Sequence, residues 1–178
     1  DAKRQAWQKE IHAAQCSDNI PIELERIVRD VRDVMPEDGI LLTGVGSRHL
    51  VGQHYPVLKP QTHIVASGHG TMGLSVPGAL GAKLGRPNVP VVSLTGDGEF
   101  RSVSQTLATA VEYNIPAVWI ILNNYAFNII TLYQLRHFER SFATEFKTVD
   151  GRPYNPDFVA MARAYGAEGR RIEKPEQF

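Results

Sequence analysis

The chain has 178 residues, enough for one domain with a sizeable core. It is 43% apolar and 21% charged, the balance of a soluble globular protein, and its 19 basic and 19 acidic residues cancel. That neutrality excludes the electrostatic footprint of a nucleic-acid or anionic-membrane binder. No apolar run reaches the ~20 residues that span a bilayer, and the one cysteine, Cys16, excludes an internal disulfide and points to a reducing, cytoplasmic setting.

Residues 1–15 carry Trp7 and Ile11 and read as a short helix or linker lying against a neighbour. From Pro21, Leu24, Ile27, Val28, Val31 and Met35 recur at helical spacing, with Glu23, Glu25, Arg29 and Arg32 on the polar side. Gly39 then precedes a compact apolar run, Ile40 to Thr43, that ends in Gly44-Val45-Gly46 and reads as a buried strand feeding a glycine loop. Ile64 to Ala66 repeats the arrangement and runs into Gly68-His69-Gly70-Thr71-Met72-Gly73. A helix to about Leu84 follows, with small residues (Ala79, Gly81, Ala82) that permit close packing. A third strand, Val91 to Leu94, leads to Gly96-Asp97-Gly98 and a helix from about Ser102 to Tyr113. The fourth, Ile115 to Leu122, leads to Asn123-Asn124 and a helix over about Ile129 to His137. A loop from Phe142 to Asn155 connects to a last helix, Pro156 to Tyr165, with Asp157 in its first turn.

Apolar strands alternating with helices predict an α/β fold, a mostly parallel sheet covered by helices on both faces. Ligands of such sheets sit beyond the carboxyl ends of the strands. Every glycine-rich or polar cluster above lies at such an end. The chain opens at Asp1 without Met, and Pro175 near its end reads as the first turn of another helix. We therefore expect residues 1–20 to be a linker from an upstream domain and residues 21–178 a binding domain truncated at its C-terminus.

Asp97 and Asn124 are short oxygen donors at the ends of successive strands. Mg²⁺ prefers oxygen ligands and commonly shares them with phosphates. Gly96 and Gly98 would let the backbone approach an anion closely. Taken singly, Asp97 and Asn124 also read as ordinary turn and cap residues. The glycine run Gly68 to Gly73 fits the dinucleotide fingerprint after a strand, so an NAD-binding Rossmann domain stays open, although Asp97 lies beyond the usual acidic offset of ~20 residues. The six histidines form no helical i, i+4 metal pair.

Gly96-Asp97-Gly98, 24 residues, then Asn123-Asn124 resembles the signature of thiamine-diphosphate enzymes. Thr43-Gly44-Val45-Gly46 with His49 and Gln53-His54-Tyr55, the run Ser67 to Gly73 with Pro77 and Gly81-Ala82, and Pro156-Asp157-Phe158-Val159 are similar to the C-terminal third of acetolactate synthase large subunits. The resemblance implies thiamine diphosphate and Mg²⁺ as cofactors, with FAD possible in the full-length enzyme. It implies Asp97, Asn124 and the Ala126 carbonyl as metal ligands. Gly46, Ser47, Arg48, Gly70, Thr71, Met72, Gly96, Gly98, Glu99, Phe127 and Asn128 would line the cofactor. Met72 would be the wedge that bends it, and the Gly70 carbonyl would accept from its aminopyrimidine.

The reaction implied is decarboxylation of a small 2-keto acid and transfer of the acyl carbanion equivalent. A decarboxylase of the same superfamily is the alternative. No catalytic residue is assigned within the chain: the family's activating glutamate belongs to a pyrimidine-binding domain which, with a middle domain, is absent here. A homodimer or tetramer is implied for the intact enzyme.

Five residues depart from the family pattern. Ser47-Arg48 stand where Gln-His is usual, and both side chains are phosphate donors by type. Glu99 stands where a small residue is common, and its side chain is expected to turn away from the diphosphate. Asn128 replaces a glycine. Tyr133 replaces a tryptophan, at a place that implies contact with the acceptor substrate. His49 and His69 are weaker candidates for moving protons.

Overall fold

The computed structural model describes residues 2–178. Four strands, β1 (Ile40–Thr43), β2 (His63–Val65), β3 (Val91–Gly96) and β4 (Val118–Leu122), form one parallel sheet in the order β2-β1-β3-β4. Side chains alternate across it. Leu41, Val92 and Leu94 pack with Ile27, Val28 and Val31 of α2 (Leu24–Val34) and with Val51 and Tyr55 around α3 (Arg48–His54). Ile40, Leu42 and Val91 face the other way, onto Ala79 of α4 (Ser75–Gly85). On that side α5 (Asp97–Val103), α6 (Thr106–Glu112) and α8 (Phe158–Ala164) complete the layer through Phe100, Leu107 and Ala162. The parallel α/β expectation is therefore met. Among the described residues no helix is long and apolar enough to cross a membrane.

The amphipathic pattern from Leu24 emerges as α2, buried through Ile27, Val28 and Val31. Arg26 pairs on its polar side with Asp18 and Asp30, both at 2.7 Å. Residues 2–15 form α1 (Ala2–Gln15), packed on α2. The close approach of α4 to the sheet is made at Gly78, where a Cβ would stand 3.0 Å from Leu42 Cδ2, while Gly81 faces open space. A short 3-10 turn, Pro175–Gln177, sits where Pro175 signals a helix start.

Two elements differ from the sequence reading. The helix expected from Ser102 to Tyr113 is two, α5 and α6, and α5 begins at Asp97 itself. Gly98 reads as a breaker, yet it is required inside this first turn: a Cβ there would lie 2.6 Å from Phe127 Cε1 and 3.0 Å from Phe146 Cζ. Second, α3 follows the β1 loop directly. Its signal was the i, i+3, i+4 set Val51, His54 and Tyr55, all buried.

The strand order places the site. From β1 the chain steps to β2 on one side, then returns through β3 to the other, so β1 and β3 flank a topological switch point. At such a point the two strands' outgoing loops diverge and leave a crevice at their carboxyl ends. Thr43 and Leu94 are in register there, and Gly44 N donates to Leu94 O at 3.0 Å.

Candidate functional site

At the end of β3, Asp97 is 1% exposed. Its Oδ2 accepts from Tyr125 N at 2.6 Å and from Asn155 Nδ2 at 2.7 Å. Its Oδ1 accepts only from Gly98 N, at 2.8 Å. An ionised carboxyl oxygen has room for more than one partner, so Oδ1 keeps a free lone pair. A carboxylate buried this far needs such donors, because desolvation without them costs several kcal/mol, roughly.

At the end of β4 the chain turns sharply, with Tyr125 at φ 58°. The turn aims Tyr125 N at Asp97 and sets Ala126 opposite Glu145 in an antiparallel bridge. Phe127 N donates to Thr144 O and Phe146 N to Tyr125 O, whereas the Ala126 carbonyl accepts no hydrogen bond among the described residues. Asn124 is exposed, and its Oδ1 accepts only a long bond from Ala126 N, at 3.2 Å. Asn155 ties the rim together, giving Nδ2 also to Asn123 Oδ1 at 2.6 Å and accepting from Arg101 Nη1 at 3.1 Å. The Arg101 guanidinium lies 4.4 Å from the Phe146 ring centre. Among the described residues no three His, Cys, Asp or Glu side chains cluster for a metal. The oxygens left with capacity here are a carboxylate, an amide and a backbone carbonyl, which suits Mg²⁺ rather than a thiolate- or imidazole-bound ion.

The β1 loop contributes differently from its residue types. Ser47 is buried, and its hydroxyl donates to Leu94 O at 3.2 Å, so the side chain braces the loop and only backbone N–H groups of Gly46 and Ser47 remain without an acceptor. Arg48 donates through Nη1 to Ala66 O at 2.5 Å and lies against Gly70, joining the β1 and β2 loops. His49 only meets Arg48, at 3.3 Å, and His69 is exposed. Below the loops His63 Nε2 contacts Thr43 Oγ1 at 3.0 Å, and burial pushes the imidazole pKa below its ordinary value.

In the β2 loop Gly68, Gly70 and Gly73 all have positive φ, and Thr71 is exposed. Met72 lies on this turn, 42% exposed, outside the core. An added Cβ on Gly46, Gly68 or Gly96 would meet nothing within 4 Å, so open space borders the loops after β1, β2 and β3.

Glu99 turns inward, 5% exposed. Oε2 accepts from Val45 N at 3.2 Å, and Oε1 from Gly73 N, Ser75 N and Ser75 Oγ at 3.1, 3.2 and 2.8 Å. The start of α4 after the glycine run is thus capped by an internal carboxylate, not left open as a pyrophosphate cradle. Phe127 meets Phe146 edge-on, centres 4.8 Å apart, and Asn128 is exposed at the start of α7 (Asn128–Phe138). Tyr133 is 64% exposed on α7 and meets His137, centres 4.3 Å apart; it joins neither loop cluster. Asn155, Tyr125 and Arg101 were not singled out from the sequence. The only hint at Asn155 was its place before Pro156-Asp157.

The fold and site define a parallel α/β cofactor-binding domain with its loops gathered at a switch point. Residues 44–178 match the family described as thiamine pyrophosphate enzyme, C-terminal TPP binding domain, and the chain belongs to that family. This decides against the dinucleotide reading of Gly68 to Gly73. The chain is 34% identical over 167 residues to a probable acetolactate synthase large subunit of Methanococcus aeolicus, covering 90% of this chain and 27% of that protein. It is 32% identical over 152 residues to the acetolactate synthase isozyme 2 large subunit of Escherichia coli K12, covering 85% and 27%. It is 30% identical over 177 residues to the mitochondrial acetolactate synthase catalytic subunit of Saccharomyces cerevisiae, covering 96% and 25%. The chain therefore spans about a quarter of the length of these relatives.

Proposed function

We propose that this chain holds the diphosphate and Mg²⁺ ends of thiamine diphosphate in an enzyme that decarboxylates a 2-keto acid and transfers the resulting acyl carbanion equivalent, as an acetolactate synthase does. The observation that carries the reading is the trio at the ends of β3 and β4: Asp97 with Oδ1 still able to accept, Asn124 exposed, and an Ala126 carbonyl with no partner. When bound, the cofactor supplies the electron sink for loss of CO₂.

The chain's residues bind and orient. Asp97, Asn124 and the Ala126 carbonyl would hold Mg²⁺, and the N–H groups of Gly46 and Ser47 would meet phosphate oxygens. Met72, exposed on the β2 turn, would lie against the cofactor and help orient it for reaction. At this edge of the sheet Asp97 is assigned to the metal and Glu99 is held by protein donors, so neither is assigned to activating the aminopyrimidine. The activating acid is assigned to a pyrimidine-binding domain in the rest of the protein. The exposed apolar side chains of α7, among them Ile130, Leu132, Tyr133 and Phe138, are where further domains or a second subunit would pack.

The test is Asp97→Ala. It should abolish Mg²⁺-dependent binding of thiamine diphosphate in titration calorimetry while leaving the circular dichroism spectrum intact. Binding equal to the parent would remove Asp97 from the metal site and the reading with it.

A further inference from the structure

Three loops must hold a common shape for the cofactor to fit, yet they leave different strands and are rich in glycine. Glycine loses more conformational freedom than any other residue when a loop is ordered. The β2 turn alone has Gly68, Gly70 and Gly73 at positive φ. Something must hold these loops in place, and Glu99, itself on the segment after β3, bonds the other two. It sits in the first turn of α5, beyond β3; its Oε2 takes the β1 loop at Val45 N, and its Oε1 takes the β2 loop at Gly73 N and Ser75.

The surroundings are built around this carboxylate. All four groups facing it are donors, and no ion pair to it is recorded among the described residues. Backbone N–H groups converging on one anion form a nest that compensates a buried charge through fixed dipoles. Gly44 completes the nest, because a Cβ there would stand 2.0 Å from Glu99 Oε2. Glycine at 44 is thus required by the side chain at 99, not by its own backbone angles. The carboxylate also pairs N–H groups of Val45, Gly73 and Ser75 that would otherwise be left without an acceptor away from water.

We infer that Glu99 is a positioning residue: its carboxylate clamps the β1 and β2 loops to α5 and so presets the turn that carries Met72 before cofactor arrives. This rests on the cofactor assignment above, but the clamp itself is measurable without cofactor. The two oxygens have different work, which gives a signature. In Glu99→Gln the carbonyl oxygen can keep Gly73 and Ser75, while the amide nitrogen, a donor, is left against Val45 N. In Glu99→Ala both sides are lost.

Amide hydrogen exchange in the complete protein, free of cofactor, is expected to speed up at Val45 in both variants, and at Gly73 and Ser75 in Glu99→Ala alone. Affinity for thiamine diphosphate with Mg²⁺ should then fall about tenfold in Glu99→Ala, the scale of one charge-assisted hydrogen bond. If Glu99→Ala does not fold, Glu99→Gln, which keeps the volume, carries the test through Val45 against Gly73. Exchange unchanged at all three amides, or raised equally at all three in Glu99→Gln, overturns the clamp. A parent protein that binds no thiamine diphosphate refutes the cofactor assignment instead, and leaves the exchange pattern to decide on Glu99.

Discussion

At the residue scale, the division of work between the two oxygens of Asp97 matters most. Oδ2 is held by Tyr125 N and Asn155 Nδ2, which leaves Oδ1 with only Gly98 N. At the proposed metal site Asn155 therefore selects Oδ1 as the oxygen that would face Mg²⁺. Asn155→Ala should weaken Mg²⁺-dependent cofactor binding by about tenfold, the cost of one hydrogen bond to a charged group. Asn155→Asp should weaken it further, because a second carboxylate beside Asp97 repels it. Calorimetric titration of both variants checks the order; equal affinities for parent and Asn155→Asp would contradict it. Asp97 and Asn124 were legible in the sequence, because residue type and spacing together are distinctive. Asn155 was not, since it meets Asp97 across 58 residues of chain and nothing local marks it. Glu99 was singled out as a departure, but the four donors its inward-turned carboxylate meets lie on two other loops and no local signal marks them. His63 bears on pH. Burial holds its pKa below the unfolded value near 6.5, so the unfolded chain takes up the proton more readily. Its contribution to stability is complete above about pH 6.5 and is lost as pH falls toward the depressed folded value. The melting temperature should drop between pH 7 and 5, and drop less in His63→Gln. Parallel curves for the two proteins would assign the loss to other groups.

At the scale of elements, the strands and the helix α2 were legible because burial imposes a period on their apolar residues. The start of α5 at Asp97 was not, since Gly98 signals a turn while the reason for glycine there is lateral: Phe127 and Phe146 occupy the space a side chain would need. Gly98→Ala should cost about 1–3 kcal/mol by overpacking, read as a lower midpoint in urea unfolding, and should loosen the Asn123–Phe127 loop with it. An unchanged midpoint would mean that the two rings move aside freely. Helix α7 is the exposed element. Only Thr131 is buried on it, while Ile129, Ile130, Leu132, Tyr133, Leu135 and Phe138 all reach solvent. Tyr133 is thus no core aromatic. In the complete protein Tyr133→Trp should shift the ratio of products formed from competing 2-keto acids. An unchanged ratio would remove Tyr133 from the acceptor side of the pocket.

At the scale of the whole molecule, one sheet brings the candidate residues of its four strand-end loops to one edge, with Tyr133 on α7 apart from them. The order β2-β1-β3-β4 opens the switch point between β1 and β3, and the β2 and β4 loops close in from either side. That order was not readable from strand patterns, which carry no information on who neighbours whom. On the proposed reading the activating acid belongs to another domain, and this chain carries the binding groups. It should therefore bind cofactor alone but neither exchange the thiazolium C2 proton nor release CO₂ from pyruvate, because the enclosing, water-excluding surface is missing. The measurement closest to the central claim is the calorimetric titration of thiamine diphosphate into this chain with Mg²⁺ and again with a chelator. The account predicts saturable binding with Mg²⁺ and none without it. Equal binding in both would contradict a metal site at Asp97, Asn124 and Ala126, and with it the role assigned to this edge of the sheet.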